Sequence, residues 1–301
     1  MKTILKLMIV AVCALSAAGC CQNKECTCTA DKQMAVQLYS ARDLIGNPEL
    51  YAKNHEEVLK AIADMGYTGV EAASYNDGLL YGVTPEEFKA DIEAVGMEVI
   101  SSHISKQLSP EELASGDFTE SLAWWDKAIA AHKAAGMRYI VCPYMAVPAT
   151  LKDLKTYCEY YNEIGRRCKA AGMGFGYHNH SHEFQKVEGE VMLDYMIANT
   201  DPELVFYQMD VYWVVYGHAS PVEYFNKYPG RFKVLHIKDA KEIGQSGMVG
   251  FDAVFGNAEV AGMEGYVVEV EGCRNEAALE GIRVSADYLR KAPFVKTSYG
   301  K

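Results

Sequence analysis

The sequence lacks several patterns that would assign it to common classes of protein. No G-x-G-x-x-G motif follows a predicted strand, so the fingerprint of a dinucleotide-binding fold is missing, and no glycine-rich phosphate cradle is found. The cysteines of the body, Cys142, Cys158, Cys168 and Cys273, have no zinc-type spacing and are interpreted as small buried hydrophobic residues. Positive charge is also scarce: the net charge of -11 argues against nucleic acid as a partner.

The N-terminal segment is predicted to be an export signal followed by a tether. Lys2 and Lys6 flank a short apolar stretch that ends in "SAAGC", which resembles a bacterial lipoprotein signal, and the apolar run is too short for a membrane-spanning helix. We expect residues 1–19 to be a signal peptide, residues 20–33 a tether and Cys20 the lipidated residue. Ordinary secretory cleavage nearby is the alternative. The segment predicts an exported lipoprotein facing the periplasm or the cell surface, which contacts the membrane only through its lipid anchor.

A repeating pattern along residues 34–301 predicts the fold. Amphipathic stretches end in Gly followed by Met or Tyr, as in "AAGMRYIVCPY", and lead into β-rich runs; glycine just past a helix end is a common C-terminal cap. The strand candidates are "AVQLYS", "GVEAAS", "EVISSHIS", "YIVCPY", "GFGYHNH", "VFYQMDVYW", "KVLHIKDA" and "GYVVEVEG". Strands that alternate with helices predict a single-domain α/β (β/α)₈ TIM barrel, with a doubly wound open sheet as the alternative.

Polar residues near the predicted strand ends fall on one face of each strand. Side chains alternate along a strand, and active sites of such barrels form at the C-terminal strand ends. The residues with inward parity are Glu71, Ser101, His103, Ser105, His178, His180, His182, Gln208, Asp210, Tyr212, His236, Lys238, Glu269 and Glu271. Unpaired charges are costly inside a barrel, so we expect this set to converge on a divalent cation. For Glu269 and Glu271, an ion pair with Lys238 is the alternative.

A mixed set of carboxylates and imidazoles suits one divalent ion of Mn, Co, Zn or Mg, and the residue types do not choose among them. Such an ion can hold adjacent sugar oxygens and polarise a carbonyl, while a nearby carboxylate or histidine moves the proton on the neighbouring carbon. This chemistry gives isomerisation or epimerisation, or elimination where a β-leaving group is present. Trp213 follows the Asp210 strand and is interpreted either as a pocket wall against a sugar face or as core.

The motifs "YHNHSHEF", "QMDVYWVV", "YPGRFKVLHIKDA" and "YVVEVEG" together resemble the sugar phosphate isomerase/epimerase family of xylose-isomerase-like TIM barrels, over nearly all of the chain from Met34 onward. The resemblance implies one divalent cation held by Glu183, Asp210, His236 and Glu269. Glu183 has the opposite parity to His178 and His180, so it must lie beyond the regular strand, and either histidine is an alternative ligand. The expected substrate contacts are Glu71, His178, Trp213 and Glu271.

The resemblance also implies a sugar-processing enzyme. Exported proteins do not meet cytoplasmic sugar phosphates, so we expect an unphosphorylated sugar, keto sugar or glycoside. The hypothesis is proton abstraction next to a carbonyl, with Glu183 or Glu269 as ligand and acid/base and with His103, His180 or Lys238 assisting. The alternatives are a lyase or hydratase that eliminates from 3-keto glycosides, a non-catalytic sugar-binding lipoprotein, and an endonuclease-IV-like nuclease, which the acidic charge disfavours. The sequence sets no oligomeric state.

Overall fold

The described residues form a closed parallel β-barrel surrounded by helices. A computed structural model of the chain describes residues 32–272 and 276–300. The barrel strands are β1 Ala35–Gln37, β2 Gly69–Ala72, β3 Glu98–His103, β4 Tyr139–Cys142, β5 Gly174–His178, β6 Val205–Asp210, β7 Val234–Lys238 and β8 Gly265–Glu269. Each strand pairs with its neighbours in chain order, and β1 pairs with β8 to close the barrel. The predicted (β/α)₈ barrel is therefore confirmed, and the open sheet is wrong.

Helices follow the strands and cover the outside of the barrel. The main helices are α1 Pro48–Asp64, α2 Pro85–Ala94, α3 Thr119–Ala134, α4 Leu151–Ala170, α5 Met192–Asn199, α6 Pro221–Lys227, α7 Phe251–Gly256 and α8 Glu276–Lys291. Shorter elements are the helices Arg42–Ile45, Pro110–Ser115, Val211–Tyr216 and Ala258–Ala261, the 3₁₀ turns Leu38–Ala41 and His182–Phe184, and the strand pairs Tyr75–Asn76 with Leu79–Leu80 and Lys186–Val187 with Glu190–Val191.

Local sequence explains where several helices begin. Helices α1, α2 and α6 each start with proline, whose fixed φ suits the first helical turn, and the side chains of Asn47, Thr84 and Ser220 accept backbone N–H bonds as N-caps. Within the part of the chain that is described, no helix combines the length and apolar character needed to cross a membrane. Residues 1–31, with the predicted signal peptide and Cys20, lie outside the described residues, as does Cys273.

Inward side chains at the amino-terminal half of the barrel form an apolar floor. Val141, Phe206, Val234 and Val267 pack together there. Gly176 on β5 makes room for the Phe206 ring, because a Cβ added at this glycine would lie 2.5 Å from ring atoms. Outward residues such as Leu235, Ile237 and Val268 pack instead in the core between barrel and helices, as do the buried thiols of Cys142, Cys158 and Cys168. The polar inward residues nearer the carboxyl ends therefore lie on a closed apolar base.

A β-bulge re-aims side chains on β3. Val70 pairs with Val99, but Glu71 pairs with Ser101, so Ile100 is an extra residue between them. Ile100 packs against the apolar floor, and the next residue, Ser101, still reaches the Glu71 carboxylate. Bulges of this kind are common beside active sites.

The predicted strands extend too far at their C-terminal ends. The sixth was expected to run to Trp213, but β6 ends at Asp210 and a helix follows at once. The reason is local: Asp210 Oδ1 accepts the Trp213 N–H at 2.9 Å and caps this helix. Tyr212 is therefore not an inward strand residue, which corrects its assigned parity. Glu271 lies two residues past the end of β8.

Candidate active site

The carboxyl ends of four adjacent strands bring four potential ligands together. His178 ends β5, Asp210 ends β6, His236 lies on β7 and Glu269 ends β8, and each offers one donor atom within 4.8 Å of the others. All four are buried, with exposed fractions between 0% and 6%. Their inward positions confirm the parity predicted for Asp210, His236 and Glu269. We call these residues the four-donor group.

One oxygen of the four-donor group has nothing to bind within the described protein. Asp210 Oδ2 is buried without a hydrogen-bond partner among the described residues, and it lies 3.9 Å from His178 Nε2. Burial raises the pKa of Asp210 to about 7, although Lys238 opposes the shift. A buried, unsatisfied carboxylate oxygen is costly, so it requires a proton or a cation. Two imidazoles and two carboxylates are a fitting donor set for a divalent transition metal.

Glu71 on β2 is a buried hydrogen-bond hub beside this group. Its Oε1 accepts from Gln37 Nε2 at 2.8 Å and His236 Nε2 at 2.7 Å and lies 3.0 Å from His103 Nε2. Its Oε2 accepts from Ser101 Oγ at 2.5 Å and Gln208 Nε2 at 2.8 Å. Burial alone would raise the pKa of Glu71, but His103 and His236 hold it well below its usual range. The residue was expected to contact substrate, yet both of its oxygens are already engaged.

His236 lies between two carboxylates. Its Nε2 faces Glu71, and its Nδ1 lies 3.3 Å from Glu269 Oε2. Burial alone would lower the pKa of His236, but Glu71, with help from Glu269, raises it to about 10. For Glu269, burial alone would raise the pKa, whereas Lys238 and His236 lower it to about 2. Glu71 and Glu269 thus favour the charged form of His236, which lies between them.

Lys238 forms the ion pair that the sequence left open as an alternative. Its Nζ lies 2.6 Å from Glu271 Oε2 and 3.5 Å from Glu269 Oε2. Burial alone would lower the pKa of Lys238, but the Glu269, Asp210 and Glu271 carboxylates raise it. The two glutamates thus share a cation within the chain. Because Lys238 already neutralises these glutamates, charge repulsion between them does not indicate a metal ion. The four-donor group and the unpartnered Asp210 Oδ2 are the features that indicate one.

Trp213 lies in the helix that follows β6, half-buried and outside the main hydrophobic core. The Lys238 ammonium is 5.8 Å from its ring centroid, and the His180 ring is 5.5 Å away. Trp213 is therefore not part of that core, and its interpretation as a pocket wall stays a prediction.

Gln208 and Gln37 also belong to the site, because both bind its buried residues. Gln208 Oε1 lies 2.7 Å from His103 Nε2 and 3.2 Å from His178 Nδ1, and the His103 ring stacks on His236 at 5.0 Å. Sequence reasoning placed Gln208 on the inward face without a role, and it overlooked Gln37. The missed signal for Gln37 was a polar residue at the end of β1, with the same parity as inward Ala35.

Glu183 lies in a second cluster with His180 and His182. It is buried in the 3₁₀ turn after β5, so the expectation that it lies beyond the strand is confirmed. Its Oε1 accepts from Tyr177 Oη at 2.7 Å and lies 3.1 Å from His182 Nε2, while its Oε2 accepts from the His180 backbone N–H at 2.9 Å. Burial raises the pKa of Glu183. These bonds tie Glu183 to its own loop, and His178 takes the fourth position in the four-donor group.

His180 presents a nitrogen that no described group uses. Its Nδ1 is buried without a hydrogen-bond partner among the described residues, and its ring lies 5.0 Å from that of His178. Burial lowers the pKa of His180 to about 4, so the ring is neutral at pH 7.

The chain matches a family model and a solved structure over most of its length. The model of xylose isomerase-like TIM barrels matches residues 59–292. A solved sugar phosphate isomerase/epimerase from Parabacteroides distasonis ATCC 8503 is 36% identical, with a TM-score of 0.80, and the match covers 88% of this chain and 100% of that one.

More distant relatives extend the comparison. The inosose dehydratase of Geobacillus kaustophilus (strain HTA426) is 23% identical over 201 residues, and the match covers 62% of this chain and 62% of that enzyme. This chain thus spans less than two thirds of that enzyme's length. A solved IOLI protein with a bound zinc atom is 12% identical, with a TM-score of 0.66, over 89% of this chain and 100% of that one. At this identity, the likeness shows the fold alone.

Proposed function

The chain belongs to the xylose isomerase-like TIM barrel family, and from this premise we propose that it is a divalent-metal-dependent isomerase or epimerase that moves a proton next to a sugar carbonyl. The observation that carries the proposal is the buried four-donor group with the unpartnered Asp210 Oδ2. Support comes from relatives named as a sugar phosphate isomerase/epimerase and as inosose dehydratases.

His178, Asp210, His236 and Glu269 are the residues that would hold the ion. Glu183, the ligand implied by resemblance, is the less suitable fourth ligand, because Tyr177 and the His180 backbone already occupy its oxygens. When bound, a divalent ion would polarise the substrate carbonyl and hold a neighbouring hydroxyl. Zinc is one candidate, since a protein of the same fold binds it.

The chain's own residues supply the proton chemistry. His180 Nδ1 is unpartnered beside the four-donor group, so we assign it as the base that removes the proton from the carbon next to the carbonyl. The electron pair released from the C–H bond moves onto the carbonyl oxygen. The Lys238 ammonium, held by Glu269 and Glu271, can donate a hydrogen bond to that oxygen. A proton delivered from water on the opposite face gives the epimer, and the electron pair returns from the oxygen to reform the carbonyl. For the isomer, the carbonyl oxygen gains a proton, the neighbouring hydroxyl loses one, and His180 returns its proton to the carbon that carried the carbonyl.

The proposed substrate is an unphosphorylated sugar, keto sugar or glycoside. Trp213 supplies an apolar face beside Lys238 and Glu271, an arrangement suited to a ring that carries C–H groups on one face and hydroxyls at its edge. We further propose that the protein is exported and lipidated at Cys20, which would keep it away from cytoplasmic sugar phosphates.

Elimination is the second candidate reaction, and the inosose dehydratase relatives favour it. The same base would remove the same proton, but the electron pair would form a C=C bond while a β-substituent leaves with a proton as water or an alcohol. A 3-keto glycoside would provide such a leaving group. The two reactions therefore share one site and differ in the substrate.

Solvent hydrogen exchange tests the proposal. The metal-loaded full chain would be incubated with keto sugars and 3-keto glycosides in D₂O and followed by NMR. We expect deuterium at the carbon next to the carbonyl, with an isomer or an unsaturated product identifying the reaction. His180→Leu should reduce exchange by about 10²–10⁴-fold, whereas His55→Gln on α1 should leave it unchanged. Sugar binding without any exchange would instead identify a sugar-binding protein.

A further inference from the structure

Glu71 fixes the orientation of the Gln208 amide. Gln208 Nε2 lies 2.8 Å from Glu71 Oε2. Gln37 and Ser101 also donate to this carboxylate, which therefore acts as an acceptor, and the amide nitrogen faces it. Gln208 Oε1 is then directed at the histidines, where it can act only as an acceptor.

This amide oxygen determines which nitrogen of His178 carries the hydrogen. His178 Nδ1 lies 3.2 Å from Gln208 Oε1, so Nδ1 is the protonated nitrogen of the neutral ring. The lone pair then belongs to Nε2, the nitrogen that faces Asp210 Oδ2 at 3.9 Å.

Glu71 acts on His236 in the same way. His236 Nε2 lies 2.7 Å from Glu71 Oε1, and the acceptor-only carboxylate requires a hydrogen on Nε2. The nitrogen that remains for a ligand bond is Nδ1, which faces Glu269 Oε2 at 3.3 Å. Gln37 and Ser101 hold the Glu71 carboxylate in place from β1 and β3.

We propose that Glu71 and Gln208 are positioning residues that make His178 bind the cation through Nε2 and His236 through Nδ1. The inference rests on the proposed metal site. One carboxylate and one amide, both fully buried, set two imidazoles on β5 and β7, the strands on either side of β6. Partners of this kind behind metal-bound histidines change metal affinity by about 10–100-fold when they are replaced.

The test combines NMR of ring-¹⁵N-labelled histidines with zinc affinity on the full chain in detergent. In the metal-free protein, we expect His178 to be protonated at Nδ1 and bare at Nε2. With zinc bound, His236 should keep its hydrogen on Nε2 and have none on Nδ1. In Gln208→Leu, the form of His178 protonated at Nε2 should appear, because that hydrogen can then be donated to Asp210.

Zinc affinity should fall by about 10–100-fold in both Glu71→Gln and Gln208→Leu. Glu112→Gln is the matched control: Glu112 is also a buried carboxylate, but it accepts from Ser109 and Ser121 and not from a histidine of the four-donor group. Its zinc affinity should equal that of the wild type.

Protonation of His178 at Nε2 in the metal-free wild type would overturn the inference, as would wild-type zinc affinity in both variants. If the wild type binds no divalent ion at all, the proposed function fails and this inference fails with it. If the wild type binds the ion but His178 is protonated at Nε2 in the metal-free protein, only this inference fails.

Discussion

At the scale of single residues, His178 and Glu183 differ in what their side chains already bind. His178 Nε2 faces the unpartnered Asp210 oxygen, whereas both Glu183 oxygens accept hydrogen bonds, one from Tyr177 on β5 and one from the His180 backbone. We predict that His178→Ala loses at least about tenfold more metal affinity than Glu183→Gln does, since only the first removes a ligand. Chelator competition with zinc measures both. Equal losses would favour Glu183 as a ligand.

A second residue-scale prediction concerns Gly176. A methyl group there would collide with the Phe206 ring in the apolar floor, so Gly176→Ala should destabilise the protein by about 1–3 kcal/mol. Gly256→Ala in α7 is the control, because no atom lies within 4 Å of its added Cβ. Urea unfolding of both variants gives the comparison. An unchanged free energy of unfolding in Gly176→Ala would show that Phe206 can move aside without destabilising the protein.

At the scale of secondary-structure elements, the sequence predicted the type and order of the barrel strands but not where they end. Alternation of apolar and polar residues identified the faces of β6, β7 and β8, because one side of each strand packs against helices and the other against the barrel interior. It did not reveal that Asp210 starts a helix, since capping depends on a side-chain hydrogen bond and not on periodicity. It also did not reveal the bulge at Ile100, which depends on pairing with β2.

A buried histidine in helix α3 makes the stability of the protein depend on pH. His132 is fully buried, its Nδ1–H donates to the Ala128 carbonyl, and burial lowers its pKa to about 4. The unfolded chain binds the proton near the ordinary pKa of about 6.5, so stability falls as the pH drops from about 6.5 towards 4. Near pH 4, His132 lowers the free energy of unfolding by up to about 3 kcal/mol.

His132→Leu should remove this component of the pH dependence. Free energies of unfolding for the wild type and the variant, measured between pH 7 and pH 4.5, isolate it from the other titrating groups. We expect the free energy of unfolding to fall more in the wild type than in the variant as the pH falls. A constant difference would contradict the low pKa of His132.

At the scale of the whole molecule, the sequence predicted the architecture and the inward parity of all four members of the four-donor group. The barrel follows from repeated local patterns, and the four residues follow from parity at the strand ends, with His178 predicted as an alternative ligand to Glu183. The hub around Glu71 could not be predicted, because its five partners come from β1, β3, β6 and β7 and meet only when the barrel closes. For the same reason, Glu71 was taken for a substrate contact.

The location of the protein is a separate whole-molecule prediction. If Cys20 is lipidated, the wild-type chain should partition into the membrane fraction of the producing bacterium and incorporate labelled fatty acid. Cys20→Ser should lose the label, while Cys21→Ser should keep it. Incorporation of label in Cys20→Ser would assign the anchor to another residue, and its absence in the wild type would favour ordinary secretory cleavage.

The central claim is that the four-donor group binds one divalent metal ion, and elemental analysis of the purified full chain beside Asp210→Asn tests it most directly. Asparagine keeps the side-chain oxygen that caps the Val211–Tyr216 helix, so the variant removes charge and not the local fold. We predict about one equivalent of metal in the wild type and a large loss in Asp210→Asn. Absence of metal from the wild type, even after loading, would contradict the account; retention of a full equivalent in the variant would place the ion elsewhere.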